Sequence, residues 1–255
     1  MLSHARALGA WSVVVAASRL RGSAPRDLGR VRDAVFGGAG ARTVPAPDAR
    51  QRPPMRVPGL GARPWHDPSS FPSAAMLREA RAEIAAEAMR AHAEGRFVPR
   101  PAPRIVSGAW STRNLQYLGA SIADHRRRYP ATASVLDGLS DVSQLGLVYF
   151  CALAPGTTLA PHGRHTNAVL RVQLNLTGSG PCSLRVGGEE RAYAAGDCLV
   201  VDDSFVTDEW NRGADTRFAL VVDVWHPELT RAEIGALEVV SRWSLGARRG
   251  RRHAP

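Results

Sequence analysis

Three groups of residues in the C-terminal half of this 255-residue chain carry side chains able to do chemistry. The first is Pro161-His162-Gly163-Arg164-His165-Thr166-Asn167, which opens a run carrying Arg171 and Gln173. The second is Asp202-Asp203-Ser204-Phe205, followed by Thr207, Asp208 and Glu209. The third begins at Arg217 and ends in Val222-Asp223-Val224-Trp225-His226-Pro227-Glu228-Leu229. Imidazole and carboxylate groups are donors for a divalent metal. A guanidinium fork matches the geometry of a carboxylate. Arg171 alternates with apolar residues and shares its face with Gln173 and Asn175, so a barrel packed on its outside would aim it into the mouth. Arg217 holds a similar place at the start of another apolar strand. A buried guanidinium is costly without a carboxylate. Two partners stand open: a small dicarboxylate ligand, or structural salt bridges to Asp202, Asp203 or Asp223.

The elements that must position these groups read as strands. Gly146–Leu153 is a compact apolar run closed by Ala154-Pro155-Gly156, a turn signal. Ala168–Leu176 alternates, with Ala168, Leu170, Val172, Leu174 and Leu176 on one face and Val169, Arg171, Gln173 and Asn175 on the other. Cys182–Val186, Gly187-Gly188 and Glu190–Tyr193 form a predicted hairpin. Cys198–Val201 and Phe218–Trp225 are two more strands. Short strands at near-regular spacing with Gly/Pro turns predict an all-β sandwich or barrel. Ahead of it the apolar stripe Leu77, Ala80, Ile84, Ala88 and Ala91 predicts one flanking helix over Ala74–His92, capped by Ser73 and closed by Gly95. Thr230–Val240 predicts a short closing helix.

Length allows one sizeable core with appended tails. All 33 basic residues are Arg, which reads as a coding bias. The charge sits in the ends: residues 1–63 carry +8, residues 239–255 carry +5, and residues 64–238 carry −3. The globular part is therefore not basic, and no specific nucleic-acid contact is expected. Phe36–Arg63, rich in Gly, Pro, Ala and Arg, reads as a disordered linker. The expected organisation is thus a targeting segment and linker over 1–63, one domain over 64–240, and a disordered basic tail over 241–255. The apolar run Ala7–Ser18 is too short to span a bilayer but suits a signal-peptide core, with Val15 and Ala17 before a cleavage point. The expected location is the secretory pathway or ER lumen, the alternative a mitochondrion or plastid. Cys151, Cys182 and Cys198 have no CxxC spacing and are too few for a complete disulfide framework.

Taken in order, Trp65-His66-Asp67-Pro68, Tyr129-Pro130-Ala131-Thr132, Pro155-Gly156-Thr157 with Pro161-His162, Thr166-Asn167, Leu170-Arg171, Asp202–Phe205 and Val222–Leu229 resemble the aspartyl/asparaginyl β-hydroxylase family, over roughly residues 64 to 235. The resemblance implies a mainly β double-stranded β-helix, a jelly-roll or cupin-like barrel, with an N-terminal flanking helix. It also implies an iron(II)- and 2-oxoglutarate-dependent dioxygenase acting on an Asp- or Asn-type side chain of a peptide or small-molecule acceptor. By the same match His162 is the catalytic iron ligand, Arg217 holds the distal carboxylate of 2-oxoglutarate, and Arg171 lies near its 1-carboxylate. Gln173 and Cys151 replace a histidine and a serine beside the cosubstrate. The chain departs from the family at the metal. Thr207 stands where the second iron histidine is expected, and Arg164 replaces a family glycine two residues after His162. Asp208 or Glu209 is the available substitute ligand, with Glu209 on the face of Thr207 and ~6.5–7 Å further along; His165 could also turn inward. The alternative to turnover is a catalytically silent relative that binds 2-oxoglutarate or an acidic peptide.

Overall fold

The computed structural model describes residues 11–12, 14–15, 28–36, 48–118, 120–121, 124–178 and 180–251. In chain order its strands are β1 (Trp65–His66), β2 (Val98–Pro99), β3 (Ile105–Ser107), β4 (Trp110–Tyr117), β5 (Ala120–Ser121), β6 (Leu147–Leu153) and β7 (Thr157–Leu159). They continue as β8 (Val169–Asn175), β9 (Cys182–Val186), β10 (Glu189–Tyr193), β11 (Cys198–Val201), β12 (Thr207–Asn211) and β13 (Arg217–Trp225). The helices are α1 (Gly29–Phe36), α2 (Pro72–Glu79), α3 (Arg81–Ala93), α4 (His125–Arg128), α5 (Pro130–Gly138) and α6 (Arg231–Arg251).

An eight-stranded sheet runs β1-β11-β8-β13-β6-β4-β2, with β5 added on β4, and a five-stranded sheet runs β10-β9-β12-β7-β3. Pairing between the strands is antiparallel throughout, as a jelly roll requires. The alternation of β8 decides its two faces. Leu170, Val172, Leu174 and Leu176 join the core beneath α2 and α3, with Leu77, Ile84 and Ala88 from the helices. Arg171 and Gln173 turn to the inner side, where the walls of the cup are apolar. Trp110, Tyr149, Cys151 and Val221 pack on one side and Leu184, Val186, Val201 and Phe205 on the other. The β9–β10 hairpin closes through Gly187 and Gly188 at φ 57° and 86°, the positive pair that a two-residue type I′ turn needs. No helix among the described residues is long and apolar enough to cross a membrane.

Four expectations about the elements change. The flanking helix is two helices meeting at Ala80, and Ser73 does not cap it. Ser73 Oγ instead donates to Asp141 Oδ2 at 2.9 Å, and the residue before the first helical turn is Phe71. Strand β4 was not expected, because its alternation is interrupted by a register shift between Asn114 and Gln116. Part of the expected linker is folded: Val57 and Leu60, together with Leu28 and Val31 from the segment ahead of it, are buried against Val169, Trp225 and Leu237. Arg30 anchors this layer through two 2.8 Å bonds to Glu233. Glu233 also completes a capping box with Thr230 that starts α6. The expected disordered tail is likewise helical as far as Arg251. Residues 252–255, residues 1–10 and most of the rest of the expected targeting segment lie outside the described residues. Trp11 and Val14, from its apolar run, pack on the same layer as α1.

Candidate functional site

Between the two sheets lies a cavity of about 650 Å³ whose wall includes Cys151, His162, Arg171, Gln173, Thr207 and Glu209. Five of these were singled out in the sequence as site residues and the sixth, Thr207, as the departure. The sheet alternation brings them to one cup. Arg217 is only 1% exposed and sits below the wall, covered by Glu209.

The floor of the cup is a buried polar cluster, in which Arg217 Nε alone of the guanidinium nitrogens has no hydrogen-bond partner. Arg217 Nη2 donates to Glu209 Oε1, which also accepts from Gln173 Nε2 at 2.8 Å and from the Tyr193 hydroxyl at 2.7 Å. Arg217 Nη1 reaches Asn175 Oδ1 at 3.4 Å, and the guanidinium lies 5.1 Å from the centre of the Tyr193 ring. Burial pushes the Glu209 carboxyl up, but Arg217 and the two neutral donors outweigh it and hold it below the ordinary range. Burial likewise opposes the charge on Arg217, and Glu209 restores it, raising that guanidinium above its usual value. The Cys151 thiol, buried in the wall, is pushed up to about 11 by desolvation and stays protonated.

One layer higher, two arginines and two aspartates form a quartet. Arg164 donates to Asp203 at 2.6 and 3.1 Å and to Asp223 at 2.6 Å. Arg171 bonds Asp223 at 3.2 Å and pairs with Asp203 at 2.9 Å. The sequence left open whether Arg171 meets a ligand or these aspartates, and in the structure it meets the aspartates. Arg164 turns away from His162 into the same quartet. Burial raises the Asp203 carboxyl, but Arg164 and Arg171 bring it below the ordinary carboxylate range.

His162 and Thr207 face each other across an antiparallel bridge, joined by reciprocal backbone bonds of 2.9 and 2.7 Å. A carbonyl can only accept, so His162 Nδ1, 2.9 Å from Ala160 O, carries the proton. Its Nε2 therefore bears the lone pair, the arrangement of a metal-binding imidazole. Burial lowers the His162 pKa and keeps the ring neutral, with Arg171 and Arg104 adding to the effect. The remaining donors do not complete a set. Thr207 Oγ1 donates to Phe205 O at 3.2 Å. Asp208 projects from the other face of β12 and grips Arg185 through both carboxylate oxygens. Glu209 is committed to the floor. Among the described residues no group of three or more His, Cys, Asp or Glu side chains is placed to hold a metal ion. An iron(II) site built on His162 with Asp208 or Glu209 does not fit this donor set: the first points out of the cup and pairs with Arg185, and the second is held to Arg217, Gln173 and Tyr193 through Oε1. A dicarboxylate cosubstrate fits no better, because its seat on Arg217 holds a carboxylate already.

Tyr193 and the rim arginines Arg100 and Arg104 were not singled out in the sequence. The Arg100 guanidinium stacks 5.5 Å from the Trp110 ring centre and lines the cavity together with Arg104. Nothing in the local pattern of residues 98–104 marked them. Glu209 was legible as sharing the face of Thr207, but its partner was not.

Fold and site define a jelly-roll protein with a polar, internally paired cup. The aspartyl/asparaginyl beta-hydroxylase family profile matches residues 78–227, which span β2 to β13, and the chain belongs to this family. The mouse (Mus musculus) aspartyl/asparaginyl beta-hydroxylase is 29% identical over 198 residues, covering 74% of this chain and 27% of that protein. Aspartate beta-hydroxylase domain-containing protein 1 of Homo sapiens is 33% identical over 246 residues, 87% of this chain and 61% of its own length. Aspartate beta-hydroxylase domain-containing protein 2 of Xenopus tropicalis is 34% identical over 140 residues, 52% of this chain and 38% of its own. The chain thus spans less than two thirds of each of these relatives.

Proposed function

We propose that this chain is a member of the hydroxylase family that does not turn over 2-oxoglutarate and uses its barrel to bind an acidic peptide segment at the cup mouth. One observation carries the reading. Among the described residues no three His, Cys, Asp or Glu side chains are grouped to hold a metal: Thr207 faces His162 across the bridge, and the carboxylates of β12 pair with Arg185 and Arg217. An iron centre of the two-histidine or facial-triad type needs more than one such donor. The acidic partner is favoured by the rim. Arg100 stacks on Trp110 and hydrogen-bonds the Asn114 side chain at 3.4 Å, and its Nε is buried without a partner. Arg104 is exposed beside it. A carboxylate placed there would satisfy groups that the fold leaves unmet.

The test is anaerobic titration of the full chain with Fe(II) and 2-oxoglutarate, followed by exposure to air. No visible charge-transfer band and no succinate are expected. Formation of succinate at a rate that His162→Ala abolishes would overturn the proposal. The second reading, an iron(II)/2-oxoglutarate dioxygenase that hydroxylates an Asp- or Asn-type side chain, rests on one feature: the lone pair of His162 Nε2 is presented as a metal ligand's would be. For location we propose entry to the secretory pathway through Ala7–Ser18, with a mitochondrion or plastid as the alternative. N-terminal sequencing of the mature chain decides it, since cleavage after Ala17 removes Trp11 and Val14 from the layer beside α1.

A further inference from the structure

We propose that Glu209 is a built-in occupant of the carboxylate seat on Arg217, and that shortening it turns the floor of the cup into a binding site for small carboxylates. This goes beyond the reading of turnover above, because it concerns the floor and makes no reference to a metal. Three donors of different kinds, the Arg217 guanidinium, the Gln173 amide and the Tyr193 hydroxyl, converge on the single oxygen Oε1 of Glu209. Such convergence is how a protein recognises a carboxylate ligand, and here the ligand is part of the chain. Each donor is itself rigidly held. Gln173 and Arg217 lie on the neighbouring strands β8 and β13, and Tyr193 lies on β10, two strands from β12.

Charge makes the occupancy exclusive. Arg217 and Glu209 cancel, and the quartet above cancels in the same way: Arg164 and Arg171 against Asp203 and Asp223. An arriving dicarboxylate would meet no uncompensated cation at the floor and would lie against a buried carboxylate of its own sign. Truncation at Cβ reverses this. Glu209→Ala removes a CH2–COO⁻ group, the size of acetate, and leaves Arg217, Gln173 and Tyr193 aimed at the vacated space. The cavity above it gives access, since Gln173 and Glu209 both line its wall.

The experiment is thermal denaturation and calorimetric titration of the full chain with acetate, succinate and 2-oxoglutarate, with chloride at matched ionic strength as control. Wild type is expected to show no saturable response. Glu209→Ala is expected to be less stable and to recover saturably with each carboxylate, with an affinity at least roughly tenfold above the upper limit that the wild-type titration sets, the value of a newly paired buried charge. Arg217→Met combined with Glu209→Ala should lose that response. If Glu209→Ala binds carboxylates no better than wild type, the proposal is wrong. Where Glu209→Ala does not fold, wild type carries the test: it must refuse 2-oxoglutarate, and saturable binding by wild type that Arg217→Met abolishes overturns the plug. The two proposals fail separately: binding of 2-oxoglutarate by wild type without succinate sinks only this one.

Discussion

The floor cluster makes Arg217→Met a quantitative test of the structure. The substitution roughly keeps volume and removes one partner of a pair whose members are 1% and 7% exposed. Breaking a buried pair from one side typically costs ~3–5 kcal/mol, because the surviving charge is left uncompensated. With a urea dependence of about 2 kcal/mol/M, the midpoint should fall by about 1.5–2.5 M. In wild type the Glu209 pKa is lowered, so the pair's contribution is complete above the unfolded carboxyl value of about 4.3 and is lost only as pH falls through the lower folded one. In Arg217→Met the upward push of burial is no longer outweighed, and the folded pKa rises above the unfolded value. The cost in the variant should therefore shrink as pH drops from 7 toward 5, while wild type stays flat in that window as far as this pair is concerned. Glu209→Val should cost a similar amount alone by stranding Arg217. The double variant should cost only about 1–3 kcal/mol, the penalty of leaving Gln173 and Tyr193 without an acceptor. Urea melts of the four proteins at pH 7 and pH 5 check all of this. If the two single effects simply add in the double variant, the pair is not coupled and the floor is not built as described.

Three further outcomes follow from other parts of the molecule. Thr207→His puts a second imidazole directly across the bridge from His162 and should create a cobalt(II) or zinc site seen by cobalt absorption and lost in His162→Ala; no binding would mean the bridge does not aim both rings into the cup. The half-buried ring of His66 and the buried ring of His226 lie 5.9 Å apart, and desolvation, with help from His226 and Arg63, pushes His66 down to about 4. A lowered histidine stabilises above its unfolded value of about 6.5 and loses that contribution as pH falls toward 4, so melts should drop by about 1–2 kcal/mol over that range once solvent exposure of His66 is discounted, and His66→Gln should flatten the slope. The three cysteines are free and buried, and burial pushes Cys151 and Cys198 up to about 11, so Ellman's reagent at pH 7 should find no fast thiol in the native chain and three after denaturation.

The barrel was legible because its strands carry period-two signals that survive without context. β8 shows Leu170, Val172 and Leu174 against Arg171 and Gln173, and the observed faces match. β9 and β10 announce themselves through Gly187-Gly188. β4 escaped because a bulge slips its alternation, and the packed segment before residue 64 escaped because composition cannot see a tertiary partner. Residues 48–63 look like linker, yet Asn167 Oδ1 accepts from Val57 N at 2.8 Å and Glu228 accepts from Gly61 N at 2.8 Å. At the site, the sequence gathers the right side chains into one cup but does not say who pairs with whom. Arg171, Asp203 and Asp223 were all candidates, and only the register of β8 against β13, which sets Arg171 opposite Asp223, decides it.

That pairing pattern explains why the cup reads differently from its motifs. Each inward arginine invites a ligand as long as it is considered alone. In the fold, Arg164 and Arg171 meet Asp203 and Asp223, and Arg217 meets Glu209, so three cations and three anions cancel inside a low-dielectric shell. A charge added to such a set must be desolvated with no compensating attraction, which is far more costly than filling a cup with an unmet cation. The uncompensated positive field then belongs to Arg100 and Arg104 at the wall, outside the quartet and above the floor. On the function proposed above, recognition is thereby shifted from the depth of the barrel to its entrance. A ligand that engages there needs one carboxylate within reach of Arg100 and can leave the interior ion pairs intact.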